Sequence, residues 1–343
     1  MTGAGDLPEG APAPSRAPSL RPPQLPPPPA LGRPSPAASR PARLRPGGDS
    51  SRPCHSADGG DDGPWALRAA SVAGVRHRVT GREVEDAYAW QLAGSAVVVA
   101  VADGVGSVPG SGGAARRAVS AACAAAAATL FAAPRSAAGT LEPAGLDRGG
   151  KDAGQGPQAD RREPGDREPG DREAHLRGPL EPDGGGGAAA CRDALAAAGE
   201  AVAAGPGATT LAVVVVDEGG ACSLARVGDS SAFVLAGGTW RELFDEGPDD
   251  GVASSATAAL PVGASRVEQS EVVLGPGEAL VVVTDGVGDP LRDGPTTVAP
   301  ALAGALATPP SPLGLAWAID FSRQGCHDDR TLVALWRLPG PGA

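Results

Sequence analysis

Lysine is all but missing from this chain: Lys151 is the only one among 29 basic residues. Aromatic side chains are almost as scarce, at 3%, with one tyrosine and four phenylalanines. Any core must therefore be built from Ala, Val and Leu, within a hydrophobic share of 41%. Clustered positive charge is lacking too. With a formal net charge of -11 the chain has no basic surface with which to neutralise a nucleic-acid backbone, which argues against such a partner. The five cysteines (Cys54, Cys123, Cys191, Cys222, Cys326) are scattered, odd in number and free of any CxxC pair. That argues against a disulfide framework and a zinc site, and the expectation is reduced thiols in the cytosol. No apolar run approaches the roughly 20 residues of a membrane helix. The opening MTGAGDLPEG has neither the basic nor the apolar region of a secretory signal. The chain is expected to be cytoplasmic, with neither membrane nor nucleic acid as partner.

Proline and glycine, by contrast, are abundant, and they divide the chain. Residues 1–64 are rich in Pro, Gly, Ser and Arg, with four consecutive prolines from Pro26 to Pro29. Such a segment buries too little apolar surface to offset its ordering entropy, so a disordered tail is expected there. Residues 65–338 are expected to form the folded domain, broken by a low-complexity insert at 134–187. That insert carries the tandem repeat Arg162-Glu-Pro-Gly-Asp166 and Arg167-Glu-Pro-Gly-Asp171, whose period fits no solenoid or coiled coil.

Within the domain, strands are predicted at 69–75, 87–92 and 96–102, with Gly94-Ser95 as the turn between the last two. Ala-rich helices are predicted at 114–133 and 188–204 on propensity. Strands follow at 209–217, 222–227, 232–236, 266–274 and 279–284. Two helices, 298–307 and 313–322, precede a last strand at 331–338. Strands in antiparallel-looking runs and helices in pairs define an α+β class, with two sheets face to face and helices outside.

Acidic groups recur where these strands stop. Asp103 closes AVVVAVAD and Asp285 closes ALVVVTD, each followed by glycine; Glu85-Asp86 and Asp328-Asp329 each precede a strand. One Asp-Gly pair is a turn and nothing more. Four carboxylates at one edge of a sandwich would repel unless cations neutralise them, and hard divalent ions with oxygen ligands do so. A glycine after such a residue lets backbone or metal-bound water approach closely.

In order and spacing these residues resemble the type 2C metal-dependent protein serine/threonine phosphatases across 69–338. Gly81-Arg-Glu-Val-Glu-Asp86 is similar to the opening Glu-Asp motif, and Val101-Ala-Asp-Gly-Val-Gly106 to the Asp-Gly-x-Gly motif. Gly207-Ala-Thr-Thr-Leu211, Val227-Gly-Asp-Ser230, Thr284-Asp-Gly286 and Asp328-Asp-Arg-Thr331 resemble the remaining four in sequence. The resemblance implies a four-layer αββα sandwich with two Mn2+ or Mg2+ ions. Asp103 would bridge them, the Gly104 carbonyl would join one, Asp285 and Asp328 would hold the first, and Asp86 would assist at the second with Glu85 reached through water. A metal-bridging water would then attack the phosphorus of a phosphoserine or phosphothreonine in a protein substrate, with Asp103 and Asp285 as the residues on which catalysis depends. The absence of a Cys-x5-Arg motif agrees with this.

The chain also departs from the pattern. Val105 stands where some members have a histidine, Asp329 where asparagine is usual, and Pro206 where some carry an aspartate for a third metal. The usual phosphate-binding arginine is replaced by Gly81, which leaves Arg82 as the candidate, with Arg78 and Arg76 as nearby substitutes. His77 reads either as a proton donor or, preferably, as a satisfied histidine at a sheet end. Asp229 reads as a turn cap, and Thr209 and Thr210 as residues filling β positions. The alternative function is a catalytically weak or inactive regulatory module that keeps the fold.

Overall fold

The computed structural model describes residues 47–49, 55–80, 82–132, 186–244, 258–292, 298–321 and 327–340. The expected tail up to residue 46 and nearly all of the expected insert lie outside the described residues. Among the described residues, twelve strands run in the order β1 Gly47–Asp49, β2 His55–Asp62, β3 Trp65–Val72, β4 Ala87–Ala93, β5 Ala96–Ala102, β6 Leu211–Val216, β7 Ala221–Val227, β8 Ser231–Ala236, β9 Thr239–Glu242, β10 Glu268–Val273, β11 Ala279–Val283 and β12 Arg330–Arg337. The helices are α1 Val75–Thr80, α2 Ser111–Ala132, α3 Gly186–Ala203, α4 Asp285–Arg292, α5 Val298–Ala305 and α6 Pro312–Ile319.

Two six-stranded sheets result, ordered β1-β4-β5-β6-β7-β10 and β2-β3-β12-β11-β8-β9, with every pairing antiparallel. Strand β5 shows why they stack. Successive side chains point to opposite faces of a sheet, so Val97, Val99 and Val101 fill the space between the two sheets, while Val98, Ala100 and Ala102 face α2 and α3. The few aromatics are divided between the two faces of the second sheet: Trp65, Tyr88, Trp90 and Phe244 are buried between the sheets, and Phe233 and Trp336 under the outer helices. Helices α4, α5 and α6 cover the outer face of the second sheet through Val287, Leu302, Leu315 and Ile319. The layers are helix, sheet, sheet, helix, as the resemblance implies.

Helices α2 and α3 form an antiparallel hairpin. Near the start of α2, Arg117 Nε donates to the Ala201 carbonyl close to the end of α3, at 3.0 Å. Near the end of α2, Thr129 Oγ1 donates to Asp193 Oδ2 close to the start of α3, at 2.7 Å. Ala114, Ala115, Ala118, Ala122 and Ala126 are buried in the core that the hairpin shares with the first sheet, and such small side chains let these elements lie close together.

Three differences from the sequence expectation concern the site. The first predicted strand is displaced: β3 ends at Val72, and Val75–Thr80 turns into α1. Strand structure also begins before residue 65, because β2 pairs with β3 along its whole length, from His55↔Val72 to Asp62↔Trp65. Its sequence HSADGGDD carries no apolar alternation, so only the neighbouring strand makes it a strand. The third difference is α4, which starts at Asp285 where a turn was expected.

Candidate active site

The antiparallel register brings the strand-end carboxylates together. Ala102 pairs with Ala87, so Asp103, after β5, lies beside Glu85-Asp86, before β4. In the other sheet Val283 pairs with Leu332, so Asp285 lies beside Asp328-Asp329. Packing the sheets face to face closes a cleft of about 300 Å³, whose wall includes Glu85, Asp103, Gly104, Asp285 and Asp328. Asp86 does not line it. It is buried behind the wall at 3% exposure, accepts a 2.8 Å hydrogen bond from Thr284 Oγ1 and lies against the Asp103 carboxyl group.

The peptide of Asp103 is held by both threonines of the Gly-x-Thr-Thr segment. Thr209 Oγ1 donates to the Asp103 carbonyl at 2.7 Å, the Thr210 N–H donates to the same oxygen at 2.8 Å, and Thr210 Oγ1 accepts from the Asp103 N–H at 3.1 Å. Thr210 also lines the cleft, beside Asp103. Thr284 links the two sheets: its Oγ1, besides donating to Asp86, accepts from the Thr331 N–H at 3.0 Å.

The neighbours Asp328 and Asp329 have different surroundings. Asp329 is buried and saturated: Gly74 N–H reaches Oδ1 at 2.7 Å, Glu85 N–H reaches Oδ2 at 2.7 Å, and His77 Nδ1 is bonded at 2.8–2.9 Å. Asp328 is exposed, and both residues line the cleft. His327 is exposed and is not part of the cleft wall.

Several sequence readings are corrected here. Arg82 does not line the cleft; its Nη2 bonds Glu85 Oε1 at 3.0 Å, with the side chain 49% exposed. Arg76, one of the nearby substitutes, lines the cleft instead, carried there by α1, a helix the sequence pattern does not predict. His77 is no sheet-end histidine. It sits on α1 in the cleft wall, with Nδ1 on Asp329 and Nε2 3.8 Å from Glu85 Oε2. Asp229, read as a turn cap, also lines the cleft. The Gly-Asp-Ser pattern was the signal available for it, and turn chemistry masked it.

Proton affinities record how closely the carboxylates crowd. Burial, and then the Asp329 charge, hold Asp86 well above the usual carboxylate range. Burial, and then the charges of Asp86 and Asp285, do the same for Asp103. Asp285 is pushed up to about 7, first by burial and then by Asp229, Asp328 and Asp289. Glu85 is raised by burial, against the lowering effect of His77 and Arg82.

An all-oxygen donor set of this charge suits hard divalent ions, and a cation among these groups would remove the repulsion that raises them. Among the described residues, no group of three or more His, Cys, Asp or Glu side chains is already arranged as a ligand cage. The fit is one of donor chemistry and charge, on the walls of an open cleft.

The family model for protein phosphatase 2C matches residues 73–309, well over half of the 343 residues, and the chain belongs to that family. No curated protein matches the sequence. Among solved structures, PppA, described as a key regulatory component of T6SS in Pseudomonas aeruginosa, is 16% identical. It aligns over 79% of this chain and 97% of its own, with a TM-score of 0.47. MsPP, a PPM Ser-Thr phosphatase from Mycobacterium smegmatis solved with cacodylate, is 18% identical over 80% of this chain and 98% of its own, at 0.45. The serine/threonine phosphatase PstP/Ppp of Mycobacterium tuberculosis is 16% identical over 80% and 99%, at 0.44.

Proposed function

We propose that this protein is an active, divalent-metal-dependent phosphatase that hydrolyses phosphoserine or phosphothreonine in cytoplasmic protein substrates. The observation that carries the reading is the convergence of Asp103, Asp285 and Asp328 on one cleft, with Asp86 packed behind Asp103. Degenerate members that serve as regulatory modules would be expected to lose one of these, and here all four remain.

Asp103, Gly104, Asp285 and Asp328 would hold the ions from the cleft wall, and Asp86 would do so from behind it. Bound Mn2+ or Mg2+ supplies Lewis acidity and lowers the pKa of water, so that no protein nucleophile is required. The rest falls to the chain's own groups. Thr209 and Thr210 fix the Asp103 peptide, Thr284 fixes Asp86, and Asp329 fixes the segment before Glu85. Arg76 replaces Arg82 as the candidate for the phosphoryl oxygens, since a guanidinium at the cleft wall offers the paired donors that a phosphate accepts.

The test is manganese-dependent hydrolysis of an aryl phosphate and a phosphothreonine peptide by the wild type, Asp103→Ala and Asp285→Ala, with folding checked by circular dichroism. Turnover is expected in the wild type, reduced at least about 10²–10³-fold in each variant, the cost typical of removing one electrostatic group from an active centre. A folded wild type that turns over neither substrate with any divalent ion would leave the non-catalytic regulatory module as the function.

A further inference from the structure

Asp285 is the first residue of α4, an element with little stability of its own. The helix has eight residues with Pro290 inside it. Helices this short do not persist in water, and an internal proline removes one of the few hydrogen bonds available. Its placement must come from tertiary anchors. Val287 and Leu291 supply one, on the outer face of the second sheet. Arg292, the last residue of the helix, supplies the other.

The Arg292 guanidinium reaches back to the strands beneath. Nε donates to both carboxylate oxygens of Glu242, the last residue of β9, at 3.1 Å, and Nη2 donates to Glu242 Oε1 at 2.7 Å. Nη2 also bonds Ser231 Oγ, and Nη1 bonds Asp289 Oδ1 at 2.9 Å. Ser231 pairs in register with Val283, two residues before Asp285. The same hydroxyl accepts a 3.0 Å bond from Nη1 of Arg226, which belongs to β7 in the other sheet. Arg226 is itself paired with Glu268 at 2.7 Å and lies 4.6 Å from the Phe244 ring centre. One residue away, Ser230 Oγ lies 2.8 Å from Thr210 Oγ1, the group that accepts from the Asp103 N–H. A single hydrogen-bonded network therefore joins the backbone of Asp103 in one sheet to the helix that carries Asp285 over the other.

We infer that Arg292 is a positioning residue: by clamping the far end of α4 to Glu242 and Ser231, it sets the place of the Asp285 carboxylate relative to Asp103. The inference rests on the reading of the cleft as a metal-dependent phosphatase centre. Groups that orient metal ligands from behind typically change metal affinity by about 10–100-fold when removed. Loss of this clamp is expected to fall at the lower end of that range, because Val287 and Leu291 still hold the helix.

The experiment compares wild type, Arg292→Gln, Arg292→Lys, Glu242→Gln and Asp285→Asn. Mn2+ affinity is measured by calorimetry, and amide exchange of residues 286–292 is measured in metal-free protein. Arg292→Gln is expected to bind Mn2+ about tenfold more weakly and to exchange faster in α4 while β5 and β12 stay protected. Arg292→Lys, which keeps the charge but not the fork, should fall between, and the KM for an aryl phosphate at saturating Mn2+ should not move. Glu242→Gln, which preserves the shape of the acceptor, should reproduce the Arg292→Gln loss and carries the test if Arg292→Gln does not fold. Wild-type affinity in Arg292→Gln or Glu242→Gln, alongside lost binding in Asp285→Asn, would overturn the positioning role alone. Wild-type affinity in Asp285→Asn would overturn the metal-site reading and the inference with it.

Discussion

Asp328 and Asp329 are adjacent, chemically identical and differently employed. The sequence ranks Asp328 first as ligand but has no means of showing what Asp329 does. The side chain at Asp329 turns inward to meet two backbone N–H groups from a segment some 250 residues away in the chain, and that contact is invisible to local pattern. Asparagine at 329 keeps one acceptor oxygen, so one of those N–H groups and His77 lose their carboxylate. Asp329→Asn is expected to destabilise the fold by about 1–3 kcal/mol, the cost of leaving a buried donor unmet, read as a lower urea midpoint. Asp328→Asn is expected to change the unfolding free energy by no more than about 0.5 kcal/mol, as surface changes do, while abolishing metal-dependent turnover. The same limit explains Arg82. Its candidacy rests on its place next to Gly81 in the motif, and only the helix α1 brings Arg76 to the cleft wall instead.

At the scale of elements, the strongly periodic or uniformly apolar segments were legible and the weak formers were not. The limits predicted for β5, 96–102, coincide with the observed strand, because a run of β-branched residues buried on both faces has one interpretation at that length. Helix α1 was hidden by the valines of VRHRVT, and α4 by the Gly and Pro of DGVGDPLR; packing overrides propensity in both. Gly286, in α4, follows Asp285, and its role was anticipated as close approach, though to backbone or metal-bound water alike. The approach is to backbone: a Cβ there would lie 2.0 Å from the Asp329 carbonyl oxygen. Gly286→Ala must push the start of α4 away from the start of β12. The expected result is a loss of about 1–3 kcal/mol in unfolding free energy, the usual cost of overpacking. Weaker Mn2+ binding should accompany it, since Asp285 and Asp328 sit on the two sides of that contact.

For the molecule as a whole, the layered architecture and the carboxylate edge were legible together, because six short motifs at strand ends fix both. What was not legible is the electrostatic cost of assembling them. Burial and its acidic neighbours push Asp285 up to about 7 in the fold from an ordinary value of 3.8, and Asp86 and Asp103 are raised in the same direction. Between those values the native chain holds protons that the unfolded chain has released, so stability falls as pH rises. The metal-free protein is expected to be more stable at pH 5 than at pH 8, losing up to about 1.4 kcal/mol per pH unit per fully shifted group. Urea midpoints in the presence of a chelator measure this. A midpoint that rises with pH would contradict the crowding, and Mn2+ should raise the pH 8 value most. The helical hairpin over the first sheet has a different consequence. Helix α2 starts beside the cleft, where Ser111 Oγ donates to the Val105 carbonyl at 2.7 Å. Its 22 residues carry the chain about 33 Å away at 1.5 Å per residue. Ala132 and Gly186, the ends of α2 and α3, therefore meet at the hairpin's distant tip, which makes that tip a graft point: sequence can be added or shed there between two anchored helices without touching a strand that carries a carboxylate.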